Sequence, residues 1–157
     1  MIRLEPMTDT ELAAYLERSI PEYAQDHVRA GNWEESRALE LSRAEHDELL
    51  PKGVRTPDNF LFTIHDDDRG GSRVGEVWYA LHRERVRPQV FIFWLGVDEK
   101  FRGQGIGTQV LRLVEAEAEK LGADSVALHV FGSNTRAQAL YRRLGFQPTH
   151  VSMAKSL

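Results

Sequence analysis

The sequence predicts an α/β fold in which helices flank a mixed, mostly antiparallel central sheet. Three observations carry that prediction. The chain has 157 residues, 41% hydrophobic and 28% charged, a size and composition that suit one core. Its middle third is a series of short apolar runs joined by turn residues, the pattern of an antiparallel meander. Its last third switches to apolar residues three and four apart, returns to a short apolar run and switches again, which reads as helix, strand, helix. No repeat, low-complexity tract or Ser/Pro/Gly linker divides the chain, so residues 1–157 are expected to form a single domain.

The elements follow in order. Residues 2–5 read as a first strand, and Thr8 as the cap of a helix reaching about Ser19. Residues 21–50 are Glu-rich with irregular apolar spacing, which predicts two helices broken near Gly31-Asn32 and closed by Pro51. Strands follow at 60–64, 73–82 and 90–97, separated by an acidic turn around Asp66–Gly71 and a second turn around Arg85–Pro88. Gly96, inside the last of these runs, predicts a bulge or a close backbone approach. Ile106, Val110, Leu113, Val114, Ala118 and Leu121 form one buried helical stripe, and Gly122 suits the cap that ends it. Residues 125–131 make another strand, and a second amphipathic helix runs from about Thr135 to Leu144 with Gly145 at its stop. Weak alternation over 149–155 predicts a final strand.

Composition excludes several function classes. Twenty basic residues against 24 acidic give a net charge of −4, with no basic stripe, which argues against nucleic acid as a partner. The absence of cysteine removes disulfides, thiolate metal sites and a covalent cysteine mechanism. His27, His46, His65, His82 and His150 are scattered without metal-ligand spacing, so no metal is expected. Asp66-Asp67-Asp68 reads as a solvated hairpin tip rather than a calcium site. The apolar run at 90–97 is far short of the ~20 residues of a membrane span. With no signal-peptide stretch at the amino terminus, a cytoplasmic location is expected.

The segment Phe101-Arg102-Gly103-Gln104-Gly105-Ile106-Gly107-Thr108 follows an apolar strand and opens a helix. Free N–H groups at a helix start, unobstructed by side chains, form a cradle for an anionic phosphate, and Arg102 could add a charge-assisted hydrogen bond. The plainer alternative is a tight strand-to-helix turn. A nucleotide P-loop is excluded because no Lys-Ser/Thr pair follows the last glycine. A dinucleotide fingerprint is excluded because Thr108 stands at its sixth place and too little chain follows.

The run Val97-Asp98-Glu99-Lys100-Phe101-Arg102-Gly103-Gln104-Gly105-Ile106-Gly107 resembles the acyl-CoA pyrophosphate loop of the GNAT superfamily of N-acetyltransferases. Some 30 residues on, Asn134-Thr135-Arg136-Ala137-Gln138-Ala139-Leu140-Tyr141-Arg142-Arg143-Leu144-Gly145-Phe146 is similar to that superfamily's second signature, N-x-x-A-x-x-L-Y-x-x-x-G-F. The specific match covers roughly residues 90–147, which would be the acyl-CoA-binding core, and residues 1–60 would shape the acceptor side. The resemblance implies a GNAT-like sheet splayed between the strands at 90–97 and 125–131. It also implies direct transfer of an acetyl group from acetyl-CoA to a primary amine in a ternary complex. The alternative, from a different class, is a non-catalytic acyl-CoA-binding or sensing domain.

On that resemblance, Arg102, Gly103, Gln104, Gly105, Ile106, Gly107 and Thr108 hold the diphosphate, and a backbone N–H near Val97 meets the thioester oxygen. Tyr141 is the implied general acid for the departing thiolate, although helix pattern alone makes it one more member of an apolar stripe. Asn134 is either a contact to the pantetheine arm or simply a helix N-cap. Deprotonating a lysine-like amine of pKa ~10.4 at pH 7 costs roughly 4.6 kcal/mol, so a base is needed. Some family members carry a glutamate on the strand entering the bulge, but positions 90–95 here are Val, Phe, Ile, Phe, Trp and Leu. Others carry a glutamate five residues before the motif asparagine, where this chain has His129. His129 is the expected proton acceptor, against a structural reading of a lone histidine among apolar neighbours. Glu76 is the reserve base, against a reading as a surface carboxylate. The glutamates of 34–48 are a wetted helix face or an attraction for a cationic acceptor. That acceptor is expected to be a small molecule, peptide terminus or lysine, and a terminal strand offers an edge through which two copies could form a homodimer.

Overall fold

A computed structural model describes all residues from Met1 to Leu157. The chain runs β1 (Ile2–Pro6), α1 (Asp9–Arg29), α2 (Glu35–Leu49), β2 (Asn59–Asp66), β3 (Ser72–His82), β4 (Gln89–Val97), α3 (Ile106–Lys120), β5 (Ser125–Leu128) and α4 (Thr135–Arg143). The five strands form one sheet in sequence order; β1 to β4 pair antiparallel and β5 lies parallel to β4. The expected single-domain α/β architecture, including the meander, is what the chain adopts.

Helix α1 begins as predicted. Thr8 Oγ1 accepts from the Glu11 N–H at 3.2 Å, and Glu11 Oε2 accepts from the Thr8 N–H at 2.8 Å, a reciprocal capping box. The helix does not stop at Ser19, however, but continues through Pro21 to Arg29. Proline removes one intrahelical hydrogen bond, yet Ser19, Ile20 and Ala24 on either side are buried and hold the helix against its neighbours. The polar stretch 21–50 thus supplies the second half of α1 and all of α2, and α2 ends just before Pro51 as expected. The α1–α2 contact is bonded by polar groups: Ser42 Oγ donates to the Ile20 carbonyl at 2.7 Å, and His46 bridges the Ser42 carbonyl and Ser19 Oγ.

The sheet separates two apolar clusters. One face packs Ile64, Val74, Val77, Tyr79 and Val90 against Ile106, Val110, Leu111 and Val114 of α3, with Leu140, Tyr141 and Leu144 of α4 alongside. The other packs Leu61 and Trp78 against Leu12 and Tyr15 of α1, with Phe93 and Trp94 beside them. In the α3 stripe, Leu111 is fully buried while Leu113 is exposed, a correction to the expected pattern. Around the helix the buried arc runs from Ile106 through Val110, Val114 and Ala118 to Leu111, and Leu113 falls just outside its edge.

The bulge in β4 lies three residues before the expected place. Trp78 pairs with Trp94 but Tyr79 pairs with Ile92, so Phe93 is the extra residue, not Gly96. The insertion puts Phe93 and Trp94 on the same face, with Ile92 and Leu95 on the other. What comes close to the bare Cα of Gly96 is a side chain rather than another backbone: a Cβ there would lie 2.6 Å from Trp94 Nε1, so the indole crosses the glycine.

Strand β5 stops at Leu128 rather than continuing to residue 131. Its last pair with β4 is Ile92↔Leu128, immediately before the bulge. Beyond it the carbonyls of Phe131 and Gly132 are taken by Gln138 Nε2 of α4, at 3.2 and 2.9 Å, instead of by a ladder. The two strands therefore part from Phe93 and His129 onward, which is the splay the sequence resemblance implied. No strand forms over 149–155; Val151 and Met153 are exposed, so their alternation buries no face against the sheet.

Burial raises the pKa of four tyrosines. Desolvation is the main cause for Tyr15 and Tyr23, with a hydrogen bond to Glu45 adding to the second. Desolvation also pushes Tyr79 up to about 12, helped by the charge of Glu117, and raises Tyr141. Above the ordinary tyrosine pKa of ~10 the unfolded chain releases protons that the native chain retains, so stability falls as pH rises through that range. Urea unfolding should show a loss of stability that steepens above about pH 10. Constant stability from about pH 9 to 11.5 would contradict it.

Candidate active site

Strand β4 ends at Val97, and a single 3-10 turn over Glu99–Phe101 carries the chain to the glycine loop. The turn is anchored at its start through Asp98: the Asp98 N–H donates to the Val74 carbonyl at 2.8 Å, and Arg73 Nη1 reaches the Asp98 carboxylate at 3.1 Å. Gly103 and Gly105 have φ of +75° and +79°, the left-handed region where a Cβ is strained. Those two inversions reverse the chain so that α3 starts at Ile106 with Gly105 as its cap and no side chain bonded to its first N–H groups.

The loop is open in front. A Cβ at Gly105 would meet nothing within 4 Å, and one at Gly103 would meet only Arg136 Nη2, at 3.8 Å. Its sides are basic. Arg102 Nε donates to the Val97 carbonyl at 2.9 Å, which closes the base of the loop. Arg69 and Lys100 both lie over the Phe101 ring, and Arg69 donates to Gln104 Oε1. Gln104 Nε2 also reaches the Lys100 carbonyl at 3.3 Å. In a chain of net charge −4, this end of β4 and α3 gathers four cationic side chains around exposed amides. A diphosphate fits that donor set: backbone N–H groups at a helix start, glycines that leave room, and guanidinium groups at the rim. Arg102 is therefore a brace as well as a charge, a role its sequence position did not reveal. Arg136 was not singled out from the sequence, although its place two residues after Asn134 brings it beside Gly103.

Helix α4 packs on the first turn of α3; a Cβ at Gly107 would lie 3.7 Å from Leu140 Cδ2. Asn134 Oδ1 accepts from the Ala137 N–H at 3.2 Å, so its side-chain oxygen caps α4. Tyr141 is half-buried against the α3 cluster, with its ring 5.7 Å from that of Phe146. Desolvation alone raises its pKa, with no charged neighbour or hydrogen bond contributing, so the phenol keeps its proton through the neutral range.

The other two candidates sit on β3 and just past the end of β5. His129 is exposed where β5 leaves the sheet, its ring edge-on to Phe131 at 5.1 Å. Glu76 lies on β3 directly opposite Gly96 and is 4% exposed, which overturns its reading as a surface carboxylate. The guanidinium groups of Arg18 and Arg73 both bond its Oε1, and Arg73 extends the chain of charges to Asp98. A carboxylate so buried needs these partners to offset its lost hydration. Sequence reading missed this cluster because Arg18 lies 58 residues away on α1.

The comparison with known families is decided by a match to the Acetyltransferase (GNAT) family over residues 17–146. The chain belongs to the GNAT family of acetyltransferases. Two GNAT relatives from Bacillus subtilis span essentially its whole length. The uncharacterized N-acetyltransferase YycN is 35% identical over 156 residues, 99% of each chain, and YdgE is 33% identical over 156 residues, 98% of this chain and 97% of its own. The crystal structure of YycN superposes with a TM-score of 0.91 at 34% identity, covering 100% of this chain and 99% of that one. The GNAT fold is also shared by AAC(6')-Iy, solved in complex with the bisubstrate analogue CoA-S-monomethyl-acetylneamine. That likeness has a TM-score of 0.66 and 18% identity over 100% of this chain and 98% of the other. No helix of this GNAT chain is long and apolar enough to cross a membrane.

Proposed function

We propose that this protein is an acetyl-CoA-dependent N-acetyltransferase that moves an acetyl group to a primary amine by direct attack within a ternary complex. The observation that carries the reading is the open, basic amide cradle at 102–108 placed directly beside the parted strands β4 and β5. Acetyl-CoA supplies the activated acyl group. The backbone N–H groups from Gly103 to Thr108 hold its diphosphate, with Arg102 and Arg136 at the rim. Past the bulge, β4 has no partner on its β5 side, and the Val97 N–H at the end of that stretch would polarise the thioester oxygen. The amine enters from the α1–α2 side and loses a proton to His129, directly or through water. As the carbon–sulfur bond breaks, the Tyr141 hydroxyl gives its proton to the thiolate. Glu76, held by Arg18 and Arg73, is the reserve base beneath Gly96.

The test is turnover. Mixed with acetyl-CoA and a panel of primary amines, the folded protein should release free CoA thiol in proportion to acetylated amine. Binding of CoA without release above background for any amine would instead support an acyl-CoA-binding or sensing domain. For His129→Gln, we expect loss of rate on the alkaline-rising limb of the pH profile. A profile identical to that of the unaltered protein would transfer the proton to Glu76 or to solvent.

A further inference from the structure

Trp94 carries a buried polar group that the fold does not satisfy. Its indole N–H is shielded from solvent and has no hydrogen-bond partner within the chain, the sole such side-chain atom. The contrast with its neighbour is informative: Trp78, paired across the ladder with Trp94, donates its own Nε1–H to Asn59 Oδ1 at 2.9 Å. A buried donor left without an acceptor is costly and rare in native proteins, which makes it a pointer to function.

Its position adds direction. Phe93 is the bulged residue, so Trp94 faces the same side as α1 and packs with its ring 6.3 Å from Tyr15. The nitrogen edge of the indole lies over Gly96, where even a Cβ would collide at 2.6 Å. Residues 93–97 of β4 are the stretch without a β5 partner. The free N–H therefore sits on the α1–α2 side of the opened strand, beside the place where the acyl group would be presented.

We propose that Trp94 is a specificity-determining residue whose indole N–H donates to an oxygen on the amine acceptor, a hydroxyl or carbonyl carried close to the reacting nitrogen. The proposal rests on the acetyl-transfer reading above. The preferred substrates are thus amino alcohols, amino sugars or amino amides rather than plain alkylamines. A site that presents a buried donor rejects an analogue lacking the matching acceptor, because the donor is then left unpaired. An oxygen on the thioester is the poorer match. That atom faces the backbone edge of β4, whereas the indole projects from the sheet face.

The experiment uses matched amines: 2-aminocyclohexanol against cyclohexylamine, and ethanolamine against propylamine. In the unaltered protein the oxygen-bearing member should have at least about tenfold higher kcat/KM. In Trp94→Phe, which keeps an aromatic ring against Tyr15, that ratio should fall to near unity whatever the absolute rates. An unchanged ratio would overturn the proposal, and so would an equal loss on all amines, which would assign the donor to the acyl oxygen. A second readout does not depend on turnover. With CoA present, the Trp94 Nε1–H resonance, assigned by its loss in Trp94→Phe, should move on adding 2-aminocyclohexanol and stay in place with cyclohexylamine. A shift without acetyl transfer would sink the enzymatic reading and leave the recognition intact; no shift with either amine would overturn the recognition itself.

Discussion

Tyr141→Phe should lower kcat by about tenfold or more while leaving the Kd for CoA within about twofold, measured by thiol release and by calorimetry. The Tyr141 ring is already part of the α3 cluster, so phenylalanine keeps the buried surface and removes only the hydroxyl. Burial raises the pKa of that hydroxyl, so the group is protonated throughout the working range and can give a proton but cannot act as a base. Since the diphosphate would be held by backbone amides of the loop, to which the Tyr141 hydroxyl makes no hydrogen bond, cofactor affinity has no reason to change. A general acid is worth about 10²–10⁴ in rate, and a thiolate is a fair leaving group, which puts the expected effect toward the lower end. Turnover within about twofold of the unaltered protein would remove Tyr141 from proton transfer and restore its reading as a core residue.

Gly75→Ala should be the most damaging single methyl group in the protein. A Cβ at Gly75 would lie 2.1 Å from the Gly96 carbonyl oxygen and 3.1 Å from the Val97 Cα. Both are backbone atoms, so no rotamer change can relieve the clash. Strands β3 and β4 must separate where Gly75 faces Val97 and Glu76 faces Gly96. Forced overpacking of this kind costs ~3 kcal/mol or more, or roughly 6–12 °C in Tm for a domain of this size. The same displacement moves Val97, the residue offered to the acyl oxygen, so acetyl transfer should fall together with stability. A variant melting within about 2 °C of the unaltered protein would show that the two strands are not so closely apposed.

Three glycines show where sequence reading reaches its limit. Gly103 and Gly105 were legible because a turn between a strand and a helix needs inverted φ at fixed offsets, a local requirement. Gly75 was not, since its reason is a carbonyl 21 residues away on another strand. The same division runs through the fold. Thr8 and Glu11 announce the start of α1 within four residues, and its end is invisible because Pro21 is overruled by the burial of Ser19 and Ile20. The meander and the α3 stripe carry their own periodicity. The bulge was expected at Gly96 from composition, whereas register across β3 places it at Phe93. Residues 149–155 alternate but bury nothing, and alternation without a face to cover does not make a strand.

The candidate site divides likewise. The phosphate loop and α4 lie in contiguous motifs that announce themselves by spacing. Glu76 read as solvent-exposed because Arg18, one of the two guanidinium groups that neutralise it, comes from α1, 58 residues away. Trp94 read as one more apolar residue in a run of them; only the fold, which lays its indole over Gly96, shows that its buried N–H has no partner. Sequence shows chemistry that is local in the chain, and the proposed acceptor side is assembled from residues far apart in it.

The central claim is that the amides between Gly103 and Thr108 grip a diphosphate and so set an acetyl thioester between β4 and β5. Backbone amide spectra recorded during titration with acetyl-CoA test it most directly. The account predicts the largest displacements at Gly103, Gln104, Gly105, Ile106 and Gly107, accompanied by Val97, with 4′-phosphopantetheine moving Val97 but much less of the loop. Saturation with acetyl-CoA that leaves the loop resonances in place, or perturbs an unrelated surface instead, would contradict it.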